Sequence, residues 1–160
     1  MDNKERELTT LGYLGLFPFM IGAIGGWGLI WVNEVMAFKL ADAAIYYGAI
    51  IASYMAGMGA GAQLTGTSRS NSSLLPSMMA ALVAWATILP NMFSINTMAI
   101  SCIVLILVFV YLLMRDLRAV EIGGLPKWYG PLRQRLTFWV CIALFMLTVL
   151  QLLYPKYIPF

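Results

Sequence analysis

The side chains able to do chemistry in this chain are few and set apart. It contains no histidine, which removes bis-imidazole haem ligation, histidine-held zinc or di-iron, and Ser-His or Cys-His nucleophile pairs. Two cysteines remain, Cys102 and Cys141, both within apolar runs, where a thiol packs as a small apolar group. By helix rise they differ in depth by roughly 10 Å or more, beyond the reach of a disulfide. The seven carboxylates, Asp2, Glu5, Glu7, Glu34, Asp42, Asp116 and Glu121, all fall outside the long apolar runs. An enzyme would have to work with Ser, Tyr, Cys or loop acids such as Asp116 and Glu121, and the Arg115-Asp116 pair reads as a solvated helix end. The 11 methionines fill gaps in an apolar bundle rather than bind a soft metal. The residues therefore lead to an expectation of no catalytic group, no metal and no cofactor.

The elements that must position these groups are membrane helices. Of 160 residues 61% are apolar and only 17 are charged, with a mean hydropathy of +0.83. A soluble domain carries about a quarter charged residues, so this chain belongs in a bilayer. About 20 helical residues cross a hydrocarbon core of about 30 Å. Apolar runs at 11–32, 43–64, 74–90, 95–114 and 136–153 predict an all-α bundle of five transmembrane helices in one domain, with a loop over 115–135. The chain between Leu74 and Met114 is too long for one crossing, and Pro90-Asn91 with Asn96 is the hinge. The leader before the first run mixes Lys4 and Arg6 with Asp2, Glu5 and Glu7, so that run reads as an uncleaved span rather than a secretory signal.

Orientation follows from the cations. Five crossings put Lys4, Arg6, Arg69, Arg115, Arg118, Lys127, Arg133 and Arg135 on the side of the N-terminus, and Lys39 and Lys156 on the other. The positive-inside rule then makes the N-terminus cytoplasmic and the C-terminus external. The net charge of +3 includes no basic tract suited to nucleic acid. Lys127, Trp128, Tyr129, Arg133 and Arg135 are expected to meet anionic headgroups along an amphipathic approach to the last span, and Tyr154 and Tyr157 to close that span beside Lys156.

Within the spans the pattern is one of packing. Ser53, Gly57 and Gly61 recur every four residues, with Ala52, Ala56 and Ala60 beside them, and Gly22 and Gly26 or Ala80 and Ala84 offer matching surfaces. Small side chains let helices approach closely, so this face is expected to pack within the bundle, against another subunit, or against a flat ligand such as a quinone or lipid tail. Pro18 leaves the carbonyl of Leu14 without its helical partner and predicts a kink, with Thr10 or a neighbour satisfying the freed group.

Several strings together resemble a family of small multi-pass proteins known as a domain of unknown function, which includes transmembrane protein 69. They are Leu11-Gly12-Tyr13-Leu14-Gly15-Leu16-Phe17-Pro18-Phe19, Tyr47-Gly48-Ala49-Ile50-Ile51, Leu75-Pro76-Ser77 leading to Ala84-Trp85, and Pro126-Lys127-Trp128-Tyr129 followed by Leu132-Arg133 and Leu136-Thr137. The resemblance implies five helices in a bacterial or mitochondrial inner membrane and supplies no activity. Relatives tend to read Gly-Gly-Ile-His-Trp-Gly where this chain has Ala56-Gly57-Met58-Gly59-Ala60-Gly61. Gly59 and Ala60 thus stand at the family's His and Trp, and any binding or relay by that His is lost here. The leading expectation is a non-catalytic accessory, scaffold or assembly subunit, or a homo-oligomer. The alternative is a small transporter, channel or lipid- or quinone-handling protein, for which Pro18, Gln63 and the span-two glycines are the candidates.

Overall fold

The computed structural model describes residues 3–64, 74–92 and 98–154, with side chains over 5–61, 74–90 and 98–154. All regular structure among them is helical: α1 Asn3–Leu14, α2 Phe17–Leu29, α3 Glu34–Leu64, α4 Leu75–Ala86, α5 Leu89–Met92, α6 Met98–Glu121 and α7 Tyr129–Leu153. Glu5–Leu29, Glu34–Gly61, Met98–Glu121 and Tyr129–Leu153 are each long and apolar enough to cross a membrane, and Leu75–Ala86 is a shorter apolar helix. The hinge residue Asn96, the side chains of Gln63 and Asn91, and Arg69, Lys156 and Tyr157 lie outside what is described.

Proline chemistry sets two of the helix starts. The helix of the first run is interrupted: α1 ends at Leu14, Gly15 and Leu16 form a turn, and Pro18 falls in the first turn of α2. An amide donor is not needed there, so the ring fits without breaking a ladder. Thr10 does not serve the break, because its hydroxyl donates back to the carbonyl of Arg6 at 2.9 Å. Pro76 occupies the same first-turn position in α4. The third run is also divided, with α4 ending at Ala86 before the four-residue α5.

Three helices run well past the apolar boundaries. α3 starts at Glu34, nine residues before the expected span, where the Asn33 side-chain oxygen accepts the Met36 amide at 3.1 Å and caps the helix. α6 continues through Arg115, Asp116 and Arg118 to Glu121, and α7 begins at Tyr129, so the expected 115–135 loop shrinks to 122–128. Its reversal is a Schellman turn: the Gly124 amide bonds the Ala119 carbonyl at 2.8 Å and the Gly123 amide the Val120 carbonyl at 3.1 Å. Gly123 takes φ +77°, which a residue with a Cβ would adopt only under strain. A helix needs hydrogen-bonded backbone, not apolar side chains, and outside hydrocarbon it continues until such a stop appears. For the same reason the approach to the last span is no separate surface helix; it is the first turns of α7.

The core lies among α2, α3, α6 and α7. Phe19 is fully enclosed and meets Phe109 and Tyr47 edge-on at centroid distances of 6.1 and 5.2 Å. Gly48 makes room for it, since a Cβ there would stand 3.1 Å from the Phe19 ring. Leu105, Leu112, Leu144 and Leu147 complete the buried seam between α6 and α7. The outer surface is apolar instead of charged, with Ile24, Leu107, Phe138 and Phe145 exposed, as lipid-facing helices require.

Candidate functional site

Where α6 stops and α7 starts, three charged side chains meet inside the bundle. The buried stripe of α6 runs Leu105, Phe109, Leu112 and then Asp116. That of α7 runs Arg133, Thr137, Val140, Leu144 and Leu147. Both keep helical spacing, so the short turn between the helices sets Arg133 opposite Asp116. Arg133 Nε donates to Asp116 Oδ2 at 2.9 Å, and the two residues are 5% and 8% exposed. Gly130, also buried, faces Leu117 and Val120 at the start of α7.

Arg115 extends the cluster to two more helices. Its Nη2 lies 3.4 Å from Asp116 Oδ1 and donates to the backbone carbonyl of Met55 in α3 at 3.1 Å. Its Nη1 donates to the hydroxyl of Ser77, in the first turn of α4, at 2.8 Å. The guanidinium rests where a Cβ on residue 59 would stand, so Gly59 is its seat. Four helices are thus tied by one carboxylate, two guanidiniums and a buried hydroxyl. Two polar atoms of α7 in this neighbourhood, Arg133 Nη2 and Thr137 Oγ1, are buried without a hydrogen-bond partner. Arg115 and Asp116 therefore form no solvated helix end, and Arg133, expected to face headgroups, is turned inward. Lys127 and Arg135 remain exposed, with Trp128 and Tyr129 half-buried between them.

The small-residue residues divide by role. Gly22 is pressed onto Ala44 Cβ and the Leu40 carbonyl of α3, and Gly26 onto Leu150 and Leu147 of α7. Ala52 and Ala56 are buried in α3, as are Ala80 and Ala84 in α4, and the Ser53 hydroxyl donates to the Ala81 carbonyl at 3.4 Å. Ala60 is half-buried. Gly57 and Gly61 differ, because a Cβ on either would meet nothing within 4 Å. Ala52 and Ala56 pack inside this chain, whereas the space over Gly57 beside them is open.

Sequence reasoning missed the charged cluster because it stopped each helix at its last apolar residue. Carrying the spacing one turn further, from Leu112 to Asp116 and from Thr137 back to Arg133, points to it. As for chemistry, the cluster fixes helices and presents cationic donors. It holds no paired base and nucleophile, and among the described residues no three acidic or thiol side chains gather as a metal site.

A family model described as "Protein of unknown function (DUF3429)" matches residues 4–149. No curated protein and no solved structure matches the chain.

Proposed function

Because the chain belongs to the DUF3429 family of proteins of unknown function, we propose that it is a non-catalytic inner-membrane protein that acts through helix packing, as an accessory or assembly subunit or as a homo-oligomer. The observation that carries this reading is the open space over Gly57 in α3. Gly22 and Gly26 of α2 find helices in the same chain, while a Cβ at Gly57 would meet nothing within 4 Å and leaves room for one more. Tyr54 and Met58, on the same stretch, are 63% and 46% exposed. Close approach of a second helix there gains dispersion contacts that lipid chains do not match. Lys127 and Arg135, with Trp128 and Tyr129, hold the exposed end of α7 at anionic headgroups, each cation worth about 1 kcal/mol. The lack of any imidazole in the sequence, and of a nucleophile beside a base in the cluster described above, supports the non-enzymatic part of the reading, and the absence of a basic tract the lack of a nucleic-acid partner.

Native mass measurement of the protein extracted in mild detergent is the test. The expected result is a dimer or a larger complex that Gly57→Leu dissociates without lowering thermal stability, since a Cβ added there meets nothing within 4 Å. A strictly monomeric particle with no co-purifying subunit contradicts it. A second reading, handling of a lipid or quinone tail, draws on an open groove of about 270 Å³ between α4 and α6, lined by Met79, Val83, Val104, Leu107 and Tyr111. Its wholly aliphatic and aromatic lining suits a hydrocarbon tail and not an ion path. A spin-labelled acyl chain held there, and released by Val83→Trp, would favour that reading.

A further inference from the structure

The cluster at the α6–α7 turn carries one positive charge more than it neutralises. Two guanidiniums share the single carboxylate of Asp116. Nε and Nη2 of an arginine lie on one edge of the guanidinium, an edge shaped to grip two oxygens at once. Arg133 uses only half of it: Nε is bonded to Asp116, while Nη2 is buried with no acceptor. One turn along α7, the Thr137 hydroxyl also lacks a partner. Thr148, on the same helix, shows the usual solution, donating to the carbonyl of Leu144 at 2.9 Å. Thr137 does not take it. A buried donor left unmade costs more than an ordinary hydrogen bond returns, and more again when it is charged. Both unmet groups lie on the inward stripe of α7, and both ask for acceptor oxygens. The cluster opens on the side of Arg115, whose side chain is 18% exposed against 6% for Arg133.

The missing partner is an oxyanion, and its location selects the kind. The cluster stands near the ends of two membrane-length helices, beside exposed Lys127 and Arg135, where headgroup phosphates gather. A phosphate brings enough oxygens for Arg133 Nη2 and the Thr137 hydroxyl, beside the positive charge of the Arg115 guanidinium. We propose that Arg115, Arg133 and Thr137 form an internal site for one phosphate group per chain, supplied by a lipid headgroup or by free phosphate. Asp116 positions both guanidiniums, and Gly59 keeps the seat of Arg115 clear. The site stands apart from the packing reading, since it involves neither Gly57 nor Gly61.

The test uses the full chain in dodecyl maltoside with two probes. Phosphatidylglycerol is added to the micelles and its retention read by native mass spectrometry, and inorganic phosphate is titrated by calorimetry. The expected result is one phosphate-bearing ligand per chain. Retention of the lipid alone identifies a headgroup site, and displacement of the lipid by inorganic phosphate identifies a free-anion site. Arg133→Lys, which keeps the charge beside Asp116 but removes Nη2, weakens binding about tenfold, the loss of one charge-assisted hydrogen bond. Thr137→Val, nearly the same shape, weakens it less and leaves the fold intact. Lys127→Gln combined with Arg135→Gln leaves the one-per-chain ligand in place. If neither probe is held at one per chain, or if the surface double variant releases it while Arg133→Lys does not, the site does not exist.

Discussion

Where α6 turns into α7, helices are joined through a carboxylate shared by two guanidiniums, whereas at the opposite end α2, α3 and α7 meet through Gly26, Ala37, Leu147 and Leu150. Near that far end Trp27 Nε1 donates to the Met146 carbonyl at 3.0 Å, and Trp31 packs edge-on against Tyr154 at 5.5 Å. The two closures differ in how they fail. Apolar packing is graded, because each lost methylene removes a little dispersion and a little burial. The charged closure is all-or-none, because removing one member strands the others in a medium that will not solvate them. One end therefore specifies which helices meet, and the other lets them approach closely.

Four substitutions separate these behaviours, beginning with the largest effect. Asp116→Ala leaves two guanidiniums without their shared partner and should destabilise the fold by about 3–5 kcal/mol, read as a large drop in the denaturation midpoint in detergent. A near-neutral outcome would mean that water reaches the cluster freely. Gly22→Val, at the apolar seam, drives a side chain into Ala44 and the Leu40 carbonyl. Because backbone must move, the expected loss is about 1–3 kcal/mol, again visible in the midpoint.

Gly59→Ala sharpens the contrast from inside the charged end. The added methyl takes the place of the Arg115 guanidinium, whose bonds to Ser77 and Met55 must yield, for a loss of about 1–2 kcal/mol. The same change made on top of Arg115→Met should cost nothing further, which a simple helix-packing role for Gly59 would not allow. Trp27→Phe should show the smallest effect. It removes one exposed indole hydrogen bond and lowers stability by about 0.5–1.5 kcal/mol.

Much of the architecture was legible from composition and spacing. Apolar runs located the membrane-length helices because hydrocarbon burial demands them. The rows through Gly22, Gly26, Ala52 and Ala56 marked real contacts because close approach requires small residues. What did not show was where helices end once they leave the hydrocarbon. Asn33 as a cap and Gly123-Gly124 as a stop are local backbone signals, and no apolar run reports them. Asp116 and Arg133 were hidden for the same reason, since charge was taken as a mark of solvent when each continues a buried stripe. Gly59 drew notice only as the position of the family's His, and the placement of Arg115, 56 residues further along the sequence, gives it a purpose in this chain. At Pro18, chain chemistry located the interruption, which falls at the turn of Gly15-Leu16.

The most direct measurement is a double-mutant cycle on Asp116 and Arg133, with unfolding in detergent measured for Asp116→Ala, Arg133→Ala and the pair together. If the two side chains are clasped inside the bundle, the pair should be no less stable than either single variant, with a coupling of about 3 kcal/mol. Losses that simply add would place the two groups apart, and the charged closure would have to be abandoned.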